Sequence, residues 1–187
     1  MKKDSPQENT MLLEKMLQTR TILLSEDVNP KSARRIIENL LVLEADDSAK
    51  EITLIVNSPG GDVDSGFAVY DMIRFVKPPV KVICAGLTAS IAVVILLSVK
   101  RENRLALPNA RFLIHQPHIP MDVYGPASDL EITANEILKT KSRINRLISD
   151  ETGQPLDRVE RDTLRDYWMS AGEAKEYGLV SGIVEKR

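Results

Sequence analysis

The sequence predicts an α/β domain with a mainly parallel sheet and one long projecting helix. Two observations indicate this class. Short buried apolar runs alternate with segments whose apolar residues recur every three or four positions, which is typical of strand–helix–strand units. A polar-rich segment of helical periodicity, at about 126–150, follows them. The 187 residues suit one domain, 1–187, with a single hydrophobic core.

The first half of the chain supplies most of the predicted sheet. Residues 1–10 are polar and are expected to be flexible. Asn29 and Pro30 are typical of a helix start, and Pro78 with Pro79 ends another helix. The predicted elements are, in order, a short helix at 11–18, a strand at 21–24, a helix from 30, a strand at 51–56, a helix before 78, a strand at 80–85 and an apolar helix behind it.

The second half combines short strands with the long helix. Leu130, Ile137 and Ile144 recur at intervals of seven along this helix. So narrow an apolar stripe suits a helix that pairs with another subunit, and it suits equally a surface helix lying on its own domain. The other predicted elements are strands at 104–107 and 111–116, a helix end at Gly153, a capping box at 170–173 that opens a short helix ending at Gly178, and a last strand at 183–185.

Composition and charge exclude several function classes. The formal net charge is −2 and the pI is about 5.8, so the chain has no basic footprint for nucleic acid or an anionic membrane. The longest apolar run, 85–99, is shorter than the roughly 20 residues that cross a bilayer. Cys84 is the only cysteine, which excludes an internal disulfide. Because no apolar segment follows the basic start, we expect no secretory signal and a cytoplasmic location.

Histidine is the most informative residue type, because the chain has only two. His115 ends an apolar strand, and the carboxyl edge of a parallel sheet is where α/β proteins place their sites. It could equally be a residue that only caps a core strand. His118 follows Pro117 in a predicted loop and is expected to be incidental. No metal site is expected, because this setting does not bring the two imidazoles onto one face and no third ligand is evident.

Ser90 is the best candidate nucleophile. It stands where a predicted strand turns into the apolar helix, so the free N–H groups of the helix N-terminus would favour developing negative charge. An ordinary N-cap is the simpler explanation of this residue taken alone. Gly60 and Gly61 follow a buried strand and would let a ligand approach backbone N–H groups, although alone they indicate only a turn. Several carboxylates in 160–166 could supply an acid.

Together these features resemble the ClpP peptidase family over residues 12–184. The resemblance implies a ClpP/crotonase-like βαβ spiral whose long helix, called the handle helix, projects from the domain. Five separated blocks in the family's order carry it: Asn57 to Gly61, Ala89–Ser90, Ile114 to Pro117, Glu136 to Lys139, and Glu160 to Asp166 with Met169 to Ala171.

The resemblance also implies a serine endopeptidase that works through an acyl-enzyme. Ser90 would be the nucleophile, His115 the general base and Asp166 the residue that orients the imidazole. Gly61 and Ile91 would supply the backbone N–H groups of the oxyanion hole. No cofactor or metal is expected in this chain.

The implied partners are other subunits and an ATPase. Family members stack two heptameric rings into a tetradecamer, here either homomeric or shared with a paralogous ClpP subunit. A partner AAA+ Clp unfoldase would consume ATP and feed unfolded polypeptides into the chamber, a role in protein quality control.

Two departures from the family pattern leave alternatives open. Ile91 and Ala92 stand where family members often carry Met-Gly, which is expected to narrow the site. Few residues precede the first predicted helix, fewer than in the family segment that forms the axial pore loops, which leaves the docking of an unfoldase open. One alternative is a non-catalytic or weakly active ring subunit that assembles with an active paralogue. The other is a crotonase-like acyl-CoA enzyme, which the Ser/His/Asp set disfavours.

Overall fold

The structure, a computed structural model, describes residues 6–118 and 125–186. Seven helices and seven strands are found in these ranges, with a 3₁₀ turn at Arg101–Asn103. The helices are α1 Pro6–Gln18, α2 Pro30–Asp46, α3 Val63–Phe75, α4 Ile91–Leu96, α5 Ala127–Thr152, α6 Leu156–Asp162 and α7 Ala171–Tyr177. The strands are β1 Thr21–Leu24, β2 Ile52–Ser58, β3 Val80–Ala89, β4 Arg104–Ala106, β5 Arg111–Ile114, β6 Tyr167–Ser170 and β7 Gly182–Ile183.

The sheet is mainly parallel, so the predicted fold class is confirmed. Strands β1, β2, β3, β4 and β7 lie side by side in that order and are all parallel. Strand β5 is parallel to the end of β3, and β6 is antiparallel to β5. Helical connections between parallel strands account for this order, as in other α/β folds.

Strand β3 pairs first with β4 and then, further along, with β5. This change of partner positions the end of β3. Residues 82–84 pair with β4, whereas 87–89 pair with β5. Gly86 lies between these halves with φ +81°, and a Cβ there would come within 2.6 Å of the Asn57 side-chain oxygen. That oxygen accepts a hydrogen bond from the Leu87 N–H. The bend therefore carries the strand away from β4 and delivers its last residue, Ala89, to β5.

Local sequence signals explain four of the helix ends. The Asn29 side chain accepts hydrogen bonds at the start of α2, and Ser170 forms a capping box with Glu173 at the start of α7. Gly153 and Gly178 end α5 and α7 in the left-handed conformation. The core is apolar, and every residue of α4 is buried within it.

Several predicted boundaries were wrong. Helix α1 begins at Pro6, so part of the segment expected to be flexible is helical, while residues 1–5 lie outside the described residues. Strand β3 runs to Ala89 rather than 85, because pairing with β5 keeps it extended beyond Gly86. Helix α6 and strand β6 were not predicted.

The apolar stripe of α5, the handle helix, divides into two parts. Ile144 and Ile148 are buried in the core of their own domain. Nearer the helix start, Leu130 of the same stripe is 40% exposed and Ile137 is half-buried, while Ile132 and Leu138, beside the stripe, are 62% and 60% exposed. The two sequence interpretations therefore apply to different halves of one helix: the second half packs on the domain, and the first half projects.

Arg104 on β4 joins the ends of α4 and α5. Its side chain is 1% exposed and donates to the backbone carbonyls of Leu97, Val99 and Glu151 as well as to the Glu151 carboxylate.

Arg104→Met should lower the free energy of unfolding by about 3 kcal/mol, because buried acceptors lose their donor. Urea denaturation at matched protein concentration measures this. The exposed Arg101→Met is the control, and equal midpoints for both variants would contradict the prediction.

Candidate active site

Ser90 occupies the turn between β3 and α4. It has φ +57°, which is unusual for a residue other than glycine and concentrates at functional sites. Its N–H donates to the Leu113 carbonyl of β5 over 2.8 Å, which fixes the turn to the sheet. The Ser90 hydroxyl makes no cap bond to α4, although the residue stands at the N-cap position. The simple N-cap interpretation therefore does not explain this side chain.

The three side chains predicted to act together are joined by two hydrogen bonds. The Ser90 Oγ lies 2.9 Å from His115 Nε2, and His115 Nδ1 lies 3.0 Å from Asp166 Oδ1. If Nδ1 carries the proton and donates to the carboxylate, Nε2 is free to accept the serine proton. The His115 side chain is 16% exposed and that of Asp166 is 56% exposed, so the base is sheltered while the acid faces solvent.

Strand pairing brings His115 and Asp166 together. In the antiparallel ladder of β5 and β6, Ile114 pairs with Tyr167. His115 follows the first of these residues and Asp166 precedes the second, so the two become cross-strand neighbours beyond the last pair. The position of β6 selects Asp166 from the carboxylates of 160–166, a choice that the residues alone left open.

The glycine pair lies against the Ser90 turn. Ser58 of β2 pairs with Thr88 of β3, which carries the following residues alongside the turn. A Cβ on Gly60 would lie 2.7 Å from both the Ala89 carbonyl oxygen and the Ser90 Cβ, so only glycine fits. Gly61 forms a parallel bridge with Val28 that uses the Gly60 carbonyl and the Asp62 N–H. In such a bridge the N–H of Gly61 itself points away from Val28.

Comparison with known proteins identifies the family of the chain. A family model described as Clp protease matches residues 4–187. The chain belongs to the Clp protease family. The resemblance to ClpP peptidases drawn from the sequence is thereby confirmed, and the crotonase-like alternative is left without support.

The relatives are similar over most of their length. A Clp relative of Treponema pallidum, the ATP-dependent Clp protease proteolytic subunit 2, is 49% identical, covering 95% of this chain and 88% of the relative. The proteolytic subunit 1 of Bacillus cereus is 45% identical, covering 92% and 89%. A solved structure, a mutant of ClpP1 from Listeria monocytogenes, has a TM-score of 0.85 and 43% identity, covering 94% of this chain and 97% of that one.

The departure from the Clp pattern at Ile91 and Ala92 is accommodated in the core. Both side chains are buried, at 2% and 0% exposed. A Cβ on Gly66 of α3 would lie 2.1 Å from Ile91 Cγ1, so the glycine leaves the room that the branched side chain fills. The departure at Ile91 is therefore matched by a glycine on the neighbouring helix α3.

A small apolar niche adjoins Ser90 and His115. Its other lining residues come from α3, α4, the end of β5 and the buried half of α5; they are Val63, Ile91, Ile114, Pro117, Ile144 and Ile148. A wider cleft lies elsewhere, near the 3₁₀ turn, and contains none of the three predicted catalytic residues. We assign the niche to the site in preference to that cleft because it borders the hydrogen-bonded side chains.

Other reactive groups contribute little. Burial raises the pKa of the Cys84 thiol to about 12, so it stays protonated at neutral pH and is a poor nucleophile. Within residues 6–118 and 125–186, no cluster of three metal-ligating side chains is found. Across the same described ranges, no helix is both long and apolar enough to cross a membrane.

His118 is the site residue that the sequence argument set aside. Its ring packs edge to face on the His115 ring, with centroids 4.6 Å apart and planes at 63°. This spacing is that of a favourable aromatic pair. The expectation that His118 is incidental stays a prediction, and this contact shows which variants test it. No sequence signal distinguished it, because the loop conformation that folds it back cannot be read from the residues.

We expect His118→Ala to lower kcat/KM for a fluorogenic peptide about threefold, since an aromatic pair contributes about 0.5–1.5 kcal/mol. His118→Phe keeps a ring against His115 and should retain most of the activity. Wild-type rates in both variants would show that the ring contact has no effect on the base.

Proposed function

We propose that the chain is the proteolytic subunit of an ATP-dependent Clp protease and hydrolyses peptide bonds as a serine endopeptidase. One observation carries the proposal: the unbroken hydrogen-bonded series from Asp166 through His115 to Ser90, ending at a strained turn before a helix. This is the arrangement that lets a hydroxyl act as a nucleophile at neutral pH.

The geometry supports a two-step reaction. The Ser90 Oγ attacks the scissile carbonyl carbon while its proton passes to His115 Nε2. Asp166 stabilises the imidazolium, which then protonates the leaving amine as the C–N bond breaks. A water molecule gives its proton to His115 and attacks the acyl-enzyme, which releases the acid product and restores Ser90.

We propose two backbone N–H groups as the donors that stabilise the oxyanion. Ile91 is the first residue of α4, where N–H groups lack partners within the helix. Gly61 follows Gly60, which contacts the same turn, and the Gly61 N–H is directed away from Val28. We assign the oxyanion hole to these two N–H groups. Gly60 lets its own segment pack closely on the Ser90 turn, and Gly66 lets α3 pack closely on Ile91.

The apolar niche suggests which substrates fit. It adjoins both Ser90 and His115, so it would receive the side chain on the acyl side of the scissile bond. Its lining is aliphatic, with contributions from Ile144 and Ile148 of α5. The niche holds only about 20 Å³, so we expect a small apolar side chain to be preferred there.

Assembly and partners follow from the family. Three relatives are named as proteolytic subunits of ATP-dependent Clp proteases, one as subunit 1 and two as subunit 2. This supports stacked rings, an AAA+ Clp unfoldase that uses the ATP, and a paralogous subunit as a candidate ring partner. The exposed Ile132 and Leu138 of α5 are suited to contact another subunit. We place this assembly in the cytoplasm.

Ser90→Ala should lower peptide turnover by about 10³-fold or more, because the members of a triad act as one unit. The control is Ser128→Ala, an exposed serine at the start of α5, which should be unaffected. Both are assayed with a fluorogenic peptide, and a fluorophosphonate probe should label wild type on the peptide that contains Ser90. Near-normal turnover by folded Ser90→Ala would overturn the proposal, including its preference over a non-catalytic subunit.

Leu138→Asp should split the wild-type oligomer into smaller species, because it puts a charge on the exposed apolar half of α5. Asn135→Asp adds the same charge at an exposed polar position nearby and should leave assembly unchanged. Analytical ultracentrifugation measures both. Wild type that sediments as a monomer and cleaves peptides well would contradict the ring assembly and leave the triad assignment intact.

A further inference from the structure

Gln116, the residue after His115, makes three hydrogen bonds to two other parts of the chain. Its N–H donates to the Thr163 carbonyl over 2.6 Å, and its side-chain Nε2 donates to the Leu164 carbonyl over 3.0 Å. Its side-chain Oε1 accepts from Lys141 Nζ over 3.0 Å. The donors and the acceptor of one residue thus hold the segment before Asp166 on one side and α5 on the other.

The two carbonyls lie directly before Asp166 in the chain. Thr163 and Leu164 precede it by three and two residues, so Gln116 extends the connection between the two strand ends beyond the β5–β6 ladder. Asp166 itself is 56% exposed, so burial does not hold its carboxylate in place. Its position relative to His115 must come from the backbone on either side.

Helix α5 reaches the same segment by a second route. The Thr163 hydroxyl donates to the Asn145 side-chain oxygen over 3.0 Å, and both residues are buried. Asn145 lies one turn after Lys141 on α5. The segment before Asp166 is therefore tied to one stretch of α5 both directly, through Asn145, and through Gln116.

We propose that Gln116 is a positioning residue that sets the distance between His115 and Asp166, and that Lys141 orients the Gln116 amide for this task. This rests on the proposed peptidase function. The Lys141 ammonium can only donate, so it fixes the amide oxygen toward α5 and leaves the amide nitrogen facing Leu164. The opposite amide orientation would set two donors against each other and an oxygen against a carbonyl.

Gln116→Glu tests the arm toward Leu164. It has nearly the same shape and keeps an acceptor for Lys141, but it puts a carboxylate oxygen against the Leu164 carbonyl. We expect kcat to fall about tenfold, because a shift of a fraction of an ångström in a catalytic pair is costly. KM should stay within about twofold, since the niche is untouched. Sedimentation of the variant should match wild type.

Lys141→Met tests the arm toward α5 and should lower kcat about threefold, while Lys141→Arg, which keeps a donor, should restore it. The matched control is Lys139→Met. This variant removes the same charge two residues earlier on the helix, where the lysine is 72% exposed and pairs with Glu136. Its kcat should equal that of wild type.

An Asp166→Asn background separates positioning from general damage. If Gln116 acts through Asp166, then Asp166→Asn with Gln116→Glu should label with a fluorophosphonate as slowly as Asp166→Asn alone. Multiplied losses in the double variant, or wild-type kcat in Gln116→Glu, would overturn the inference. In either case wild type would still show Ser90-dependent cleavage, whereas loss of that dependence would overturn the proposed function instead.

Discussion

The antiparallel pairing of β5 with β6 is the constraint on which the proposed site depends. Ile114 and Tyr167 form the last pair of this ladder, and His115 and Asp166 lie just beyond it. A slip of two residues would preserve which face each side chain occupies but move Asp166 by about 7 Å along the strand. The 3.0 Å contact between Nδ1 and the carboxylate would then be lost. The register of a four-residue strand thus determines whether the histidine is oriented.

Ser90 depends on a different set of constraints, which are mostly steric. The bend at Gly86 directs β3 to β5, and the hydrogen bond from Ser90 N–H to Leu113 holds the positive φ in place. Gly60 allows the neighbouring backbone to approach the turn, and Gly66 gives room for Ile91. Strain at the nucleophile is thus maintained by buried packing around it, which is the usual way that a folded protein sustains an unfavourable backbone conformation.

The sequence predicted the parts of this site that local chemistry determines. Ser90 stands out because a strand meets an apolar helix, and His115 because the chain has only two histidines. Asp166 came from family resemblance, since several nearby carboxylates are chemically equivalent and only the β5–β6 register distinguishes them. Strand β6, the extension of β3 and the contacts of Gln116 and His118 depend on residues far apart in the chain or on loop geometry, to which periodicity and capping signals are insensitive.

Helix α5 connects an exposed apolar surface to the segment that precedes β6 and Asp166. Its first half projects with Ile132 and Leu138 exposed, while its second half is anchored by Ile144 and Ile148 in the core. Lys141 lies at the boundary between the two halves and Asn145 lies within the buried half, and both contact the segment before Asp166 directly or through Gln116. An α-helix transmits displacement along its axis because each turn is hydrogen-bonded to the next. A partner that displaced the projecting half would therefore reach the contact of Lys141 with Gln116 before it reached the buried packing of Ile144 and Ile148.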